Sequence, residues 1–299
     1  MTHHLQHGSI LGGLSTTPNL QLAIDDYRDI LGMNLVYEGI LSDELAQSWN
    51  CPNSAGRPIA IFQPKSGAQF FMRVVEQEDV PHFAPTTSYG WAAFELSVQD
   101  VFGWPDRLQG SGFEIVGPPK ELAGLPYFIP MQILGRGREM LYLNEVRENT
   151  PSTDLPMARS LVDHAFICIL AAQYRGKAVS WYEQHFGFND GGTYTLEYSM
   201  INNAFNLPSD SITQLTMVQK DRLPILEVDD YPEMADIRPR HSGMLPPGNA
   251  VVSLAVDELD SLNLSWISLP KIRDEAPYLG RKSASVIGPA GEILELIEI

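Results

Sequence analysis

The chain has 299 residues with a formal net charge of −17, from 37 acidic and 20 basic residues, and 44% of its residues are apolar. This length allows one large domain or two of ordinary size, with enough apolar residues for a substantial core. The negative charge argues against nucleic acid and anionic membranes as partners because both would repel the protein. No apolar run approaches membrane-spanning length and the only cysteines are Cys51 and Cys168, so we expect a cytoplasmic protein without a disulfide framework. His3, His4 and His7 precede any periodic pattern and indicate a frayed N-terminus.

The first part of the chain predicts a unit in which a strand and a helix precede three further strands. Residues 9–16 predict the first strand. Thr17 then offers a helix N-cap and Pro18 a first helical residue, and the apolar helix face that follows ends at Gly32. The remaining predicted strands of this unit are residues 34–39, 58–63 and 68–75.

A second unit of the same order begins at Gly90. A predicted strand at 91–98 leads into a short helical stretch at 102–108. The remaining predicted strands are residues 113–116, 131–134 and 139–146. The polar, proline-bearing segment ENTPSTDLP that follows predicts a linker.

The same order recurs twice beyond the linker, at residues 161 to about 218 and at 249–299. In the third unit, a buried strand at 164–170 precedes a helix with one apolar face, which Gly187 ends. Residues 220–247 are rich in Asp, Pro and Arg and predict a long surface connection. We therefore predict an N-terminal domain at 9–147, a linker at 148–160 and a C-terminal domain at 161–299.

Three segments of the first half match segments of the second half. YRDILGMN from residue 27 matches YEQHFGFN from residue 182 (offset 155), ELSVQDV from residue 95 matches SLAVDEL from residue 253 (offset 158), and EMLYLNEV from residue 139 matches EILELIEI from residue 292 (offset 153). Because the three offsets nearly agree, they favour a duplicated half over chance similarity between β-rich segments.

Two motifs carry a resemblance to a known group of folds. Tyr-x-x-x-Leu/Phe-Gly-Met/Phe closes the helix of the first and third units, and Gly-x-x-Gly-x-x-x-Glu-Leu closes the fourth. Over nearly its whole length the chain resembles the vicinal oxygen chelate superfamily, which includes glyoxalases, extradiol ring-cleavage dioxygenases and bleomycin-resistance proteins. The resemblance implies an α+β fold of four βαβββ modules paired into two tandem open barrel-like domains.

The resemblance also implies a divalent metal ion (iron, manganese, zinc or nickel) inside a barrel, bound by residues on the first and last strands of two paired units. Carried over to the second half, these positions fall on His164, Gln214, Val251 and Glu295, of which Val251 departs from the pattern because its side chain cannot bind a metal. The corresponding positions of the first half offer almost nothing to a cation; they are Gly12, Gln69, Ala93 and Tyr142. We therefore predict that His164, Glu295 and Gln214 are the metal ligands.

Four residues are candidate contacts for a substrate. Tyr278 and Arg281 lie before the last hairpin, where they would close over a bound molecule and Arg281 would pair with an anionic group. Val251 and Asn249 share one face of their predicted strand. Every candidate also has a structural alternative: a histidine bonded to the backbone, an exposed carboxylate or amide, or an ordinary surface loop.

Our leading hypothesis is a divalent-metal-dependent enzyme, namely a ring-cleaving dioxygenase, lyase or isomerase that acts on a small aromatic or apolar oxygenated compound. An imidazole and a carboxylate leave coordination positions open, so that two neighbouring substrate oxygens can chelate the ion. The alternative is a metal-free protein of the resistance or sequestration type, which Val251 favours. A scaffold whose pockets are filled by side chains is a third possibility. The resemblance also implies a homodimer as one assembly.

Overall fold

The structure is a computed structural model that describes residues 5–299, so His3 and His4 lie outside the described residues. It contains four modules. The first comprises β1 (Ile10–Thr17), α1 (Leu20–Asp25), β2 (Asn34–Ile40), α2 (Asp43–Ser48), β3 (Pro58–Gln63) and β4 (Phe71–Glu76). The second comprises β5 (Gly90–Val98), α3 (Trp104–Arg107), β6 (Glu114–Gly117), β7 (Phe128–Leu134) and β8 (Met140–Val146).

The third module comprises β9 (Val162–Ala172), α4 (Arg175–Phe186), β10 (Asn189–Glu197), α5 (Ser199–Ala204), β11 (Ile212–Lys220) and β12 (Leu223–Asp230). The fourth comprises β13 (Asn249–Val256), β14 (Trp266–Arg273), β15 (Arg281–Ile287) and β16 (Ile293–Glu298). A π-helical turn, Asp26–Ile30, continues α1, and short 3-10 turns occupy Pro52–Ser54, Val101–Gly103 and Leu259–Ser261. Within residues 5–299, no helix has the length and apolar character to cross a membrane.

Two local predictions need correction. The N-cap of α1 is Asn19 rather than Thr17, because the Asn19 side chain accepts a hydrogen bond from the Leu22 amide at 3.0 Å. The predicted surface connection at 220–247 contains strand β12, whose buried apolar residues lie among prolines and acids that masked the strand pattern. The predicted end of α4 at Gly187 is confirmed, and this glycine adopts a left-handed conformation.

The four modules form two eight-stranded mixed sheets, which confirms the predicted fold class. The strand order of one is β14-β15-β16-β13-β1-β4-β3-β2, and that of the other is β10-β11-β12-β9-β5-β8-β7-β6. We call these the first barrel, built from the first and fourth modules, and the second barrel, built from the second and third. The predicted grouping of consecutive modules into domains at 9–147 and 161–299 is thereby corrected, because β1 pairs with β13 and β5 pairs with β9.

Three apolar clusters hold this arrangement together. The largest contains residues of α1, α4 and both sheets, so it joins the two barrels. The other two fill the interiors of the first and second barrels. Burial of this apolar surface is the main source of stability, and the barrel interiors are the places where a ligand site would lie.

The duplicated halves meet in two equivalent hydrogen bonds between the barrels. The Tyr27 hydroxyl donates to Glu139 Oε1 at 3.1 Å, and the Tyr182 hydroxyl donates to Glu292 Oε1 at 2.8 Å. Each tyrosine belongs to one barrel and its glutamate to the other. Burial raises the pKa of both Glu139 and Glu292 to about 7. The offsets found in the sequence thus correspond to a repeated contact.

We expect these two carboxyls to make the protein more stable in weak acid. An unfolded glutamate ionises near pH 4.5, whereas these remain protonated to about pH 7, so stability falls as pH rises through that window and then levels off. Each contributes on the order of 3 kcal/mol to the difference. Urea unfolding of Glu139→Gln and Glu292→Gln at pH 5 and pH 8 should show a smaller pH dependence than the parent. The exposed Glu121→Gln is the control, and equal slopes in all four proteins would contradict the assignment.

Candidate functional site

The predicted metal ligands lie apart in the structure. His164 is on β9 of the second barrel, and Glu295 is on β16 of the first. His164 Nδ1 lies 3.2 Å from Asp163 Oδ1. Gln214 is exposed on β11, where its Oε1 accepts a hydrogen bond from Arg175 at 3.1 Å. The structure does not bring the three residues together, because consecutive modules do not share a barrel.

The predicted substrate contacts are also divided. Tyr278 is buried inside the first barrel, as is Val251. Asn249 bonds the backbone of Met140 in the second barrel, its Oδ1 accepting from the amide at 2.8 Å and its Nδ2 donating to the carbonyl at 3.1 Å. Arg281 is partly exposed at the start of β15. Tyr278 and Val251 therefore share an interior, whereas Asn249 joins the two barrels.

The four central strands of the first barrel, β1, β4, β13 and β16, are the first and last strands of its two modules. They bring together Arg73 from β4, Ser253 from β13 and Glu295 from β16, all of them buried. Ser253 and Glu295 are directly paired in the parallel register of β13 and β16. A Cβ atom on Gly12 of β1 would collide with the Phe71 ring, so this ring fills the space that a side chain from β1 would need.

The Glu295 carboxylate is fully hydrogen-bonded. Its Oε1 accepts from Trp49 Nε1 at 3.0 Å and from the Tyr278 hydroxyl at 2.6 Å. Its Oε2 accepts from Arg73 Nη2 at 3.0 Å and from the Ser253 hydroxyl at 2.5 Å. Four donors around one buried carboxylate meet the requirement that a charge taken out of water be paired and solvated by protein groups.

Arg73 completes the same network. Its Nη1 donates to the Tyr278 hydroxyl at 2.9 Å, and its Nη2 donates to the Ser253 hydroxyl at 2.8 Å. The rings of Trp49 and Phe71 lie 4.8 Å and 5.1 Å from the guanidinium carbon, within the range of cation–π attraction. The Arg73 Nε atom is buried without a hydrogen-bond partner among residues 5–299.

Arg73 and Glu295 each keep the other side chain ionised. Burial alone would raise the pKa of Glu295, but the Arg73 charge and the hydrogen bonds from Ser253 and Tyr278 hold it below its ordinary value. Burial would likewise lower the pKa of Arg73, and the charge of Glu295 keeps it above its ordinary value. Burial and the neighbouring carboxylate raise the pKa of Tyr278 well above 10, so it remains a neutral donor.

A cavity of about 270 Å³ lies above this network, with Arg73 among its walls. Most of the other lining residues are apolar; the full set is Tyr37, Ile40, Leu41, Ser42, Glu44, Leu45, Ile59, Ile61, Arg73, Glu275 and Ala276. Helix α2 reaches across to the edge strand β14 at this point, where Glu44 contacts Lys271 at 2.6 Å and Arg273 at 2.7 Å. The cavity therefore lies where α2 bridges the open side of the barrel.

Solved structures match this architecture, although no protein-family model and no curated protein matches the sequence. Glyoxalase I from Zea mays superimposes with a TM-score of 0.62 at 15% identity, over 97% of this chain and 92% of that one. A putative dioxygenase from Bacillus subtilis gives a TM-score of 0.62 at 12% identity, over 99% of this chain and 86% of that one. The protein has the vicinal oxygen chelate fold. At these identities the likeness concerns the fold, so the activity must be argued from the site.

The first barrel of this vicinal oxygen chelate fold is poorly suited to a divalent metal ion. Both oxygens of Glu295 already accept two hydrogen bonds, and the Arg73 guanidinium lies 3.0 Å from one of them. A divalent ion would have to displace or repel that charge at close range. Across residues 5–299, no three His, Cys, Asp or Glu side chains form a group that could hold a metal ion. The donor set therefore fits a cationic side chain in place of a metal.

The interior of the second barrel contains acidic residues instead of an ion pair. Glu95 and Asp229 are buried there, and Glu227 is half-buried. Tyr198 donates to Glu227 at 2.9 Å, and Asn144 donates to Glu95 at 2.6 Å. Burial raises the pKa of Glu227 to about 7, and burial together with the charge of Glu227 raises the pKa values of Glu95 and Asp229 well above their ordinary values. Burial thus favours the protonated form of each of these carboxyls.

Our sequence analysis missed Arg73 and Trp49. A signal for the first was present, because Arg73 lies within the apolar part of FMRVVE, just as Glu295 lies within the apolar part of ILELIE. The other charged residues of these strands, Glu76 and Glu298, are at the strand ends. Two lone charges of opposite sign in buried strands predict an ion pair if the strands are known to be neighbours. That neighbourhood follows from the module pairing, which the sequence pattern did not reveal.

We expect the ion pair to stabilise the protein only as a complete pair. Arg73→Met or Glu295→Leu alone would leave an unpaired buried charge and should each lower the free energy of unfolding by about 3–5 kcal/mol. The double variant Arg73→Met/Glu295→Leu should lose less than the sum of the two single losses. Urea denaturation of the four proteins measures this coupling. Additive losses would contradict a direct interaction between the two side chains.

Proposed function

We propose that the protein binds a small, largely apolar molecule inside the first barrel without a metal ion. The observation that carries this proposal is the Arg73 guanidinium between the four central strands, held by Glu295, Ser253 and Tyr278. The Arg73 side chain thus supplies a positive charge inside the barrel, where the metal-dependent hypothesis requires a metal ion. The adjoining apolar cavity of about 270 Å³ supplies the space for a ligand.

The metal-dependent enzyme that led our sequence hypotheses has less support. Its three ligands would have to come from two different barrels, and Gln214 faces away from both interiors on the exposed side of β11. The single carboxylate that does lie at the centre of the first barrel, Glu295, is already paired with Arg73. The alternative, a sequestration or resistance type of protein, needs only the cavity and its polar floor. Cytoplasmic location and pairing into a homodimer stay predictions.

We expect ligand uptake to be independent of metal. Acetophenone, a small neutral apolar probe, should bind the protein equally well before and after dialysis against EDTA, because the floor of the cavity is a completed ion pair. Saturation-transfer NMR would follow the binding, and elemental analysis would give the metal content of the same samples. Loss of binding on chelation, restored by one equivalent of zinc, iron, manganese or nickel, would instead support the metal-dependent enzyme.

A matched pair of variants locates the binding. Ile61→Trp places a large ring against the cavity, of which Ile61 is a wall, and should abolish uptake. Leu269→Trp adds the same ring to β14 at a side chain that is 78% exposed, and should leave uptake unchanged. Circular dichroism would verify that both variants are folded. Undiminished uptake by folded Ile61→Trp would place the ligand elsewhere and contradict the proposal.

A further inference from the structure

The hydrogen bonds of the cavity floor leave little free capacity. The Tyr278 hydroxyl donates to Glu295 and accepts from Arg73, and the Ser253 hydroxyl does the same. The indole N–H of Trp49 is used by Glu295, whose two oxygens each have two donors. Within this floor, the atom that has no hydrogen-bond partner is Arg73 Nε. The unused polar capacity is thus that of a donor.

An unpaired buried donor selects for an acceptor. A buried N–H without a partner is unfavourable, and a hydrogen bond to a ligand oxygen would remove that cost. A hydroxyl or amide on the ligand would bring a donor of its own into a floor whose acceptors are already in use. The match to Arg73 Nε is therefore an oxygen that accepts but does not donate.

The charge of the floor also selects against ions. Arg73 and Glu295 form a neutral pair with both side chains buried, so an anionic ligand would add an uncompensated charge next to that pair. The formal net charge of −17 also repels anionic ligands. The remaining walls are mostly aliphatic and include Ile40, Ile59 and Ile61. Size, charge and lining together favour a small uncharged molecule.

We infer that the ligand is a small neutral carbonyl compound, a ketone, aldehyde or ester, whose oxygen accepts a hydrogen bond from Arg73 Nε. This inference rests on the proposed function, since it identifies the kind of molecule that the first-barrel cavity takes. Arg73 is fully buried, with the rings of Trp49 and Phe71 beside its guanidinium group, so the hydrogen bond would be shielded from bulk water. The contact is a specificity contact, and no reaction of the carbonyl group is implied.

Three isosteric probes test the inference on the full-length protein. Acetophenone carries a carbonyl oxygen, α-methylstyrene replaces that oxygen with a CH₂ group, and benzoate replaces the methyl group with a charged oxygen. Dissociation constants come from NMR titration at pH 7. We expect acetophenone to bind about 3- to 10-fold more tightly than α-methylstyrene, as one net hydrogen bond provides, and benzoate to show no detectable binding.

A conservative variant assigns the preference to Arg73. In Arg73→Lys the charge opposite Glu295 is kept, but the ammonium has three N–H groups, as many as the acceptors on Glu295, Ser253 and Tyr278 that Arg73 now reaches. No donor is then left for a ligand. The ratio of the dissociation constants for α-methylstyrene and acetophenone should fall to near unity in this variant. A merely structural role of Arg73 would weaken both probes equally.

The outcomes separate this inference from the function on which it rests. Benzoate binding as tightly as acetophenone, or equal binding of acetophenone and α-methylstyrene to the parent, would overturn the ligand class while leaving the cavity as a binding site. A preference for acetophenone that survives in Arg73→Lys would overturn the role of Nε. Absence of binding by all three probes, or binding that persists in Ile61→Trp, would overturn the proposed function as well.

Discussion

The buried ion pair between Arg73 and Glu295 is the constraint on which the first barrel depends. Moving both charges out of water costs several kcal/mol per ion, and this cost is offset only if each charge is fully hydrogen-bonded. The required partners come from distant parts of the chain: Trp49 follows α2, Ser253 lies on β13, and Tyr278 precedes β15. The pair is therefore satisfied only when the first and fourth modules are assembled together.

The two barrels share a fold but differ in how they accommodate ionisable side chains in their interiors. In the parallel ladders of β1 with β4 and of β9 with β12, Arg73 is opposite Leu14 and Glu227 is opposite Ile169, which are corresponding places in the duplicated halves. The first barrel buries a cation and an anion that neutralise one another. The second contains carboxyls whose pKa values are raised by burial, which favours their protonated forms. The first arrangement holds permanent charge beside a cavity.

Much of this architecture could be predicted from local sequence patterns. Apolar periodicity located most strands, and the repeated Tyr27 and Tyr182 segments located the duplication, because both features depend on neighbouring residues. The pairing of modules depends on which sheet edges meet, and no local pattern encodes it. We therefore predicted a single metal site containing both His164 and Glu295, which are neighbours only if consecutive modules pair. Tyr278, which we predicted as a substrate contact, donates its hydroxyl hydrogen bond to Glu295 in this structure.

The crossed pairing of modules has a consequence for how such a chain can arise. Each barrel contains one module from the first half of the chain and one from the second. A polypeptide consisting of one half alone would therefore contain two modules that do not pair with each other in this fold. Two such polypeptides, exchanging modules reciprocally, would be needed to close both barrels. Fusion of the halves turns that exchange into an intramolecular event. It also frees the two barrels to diverge, one toward an internal cation and the other toward protonated acids.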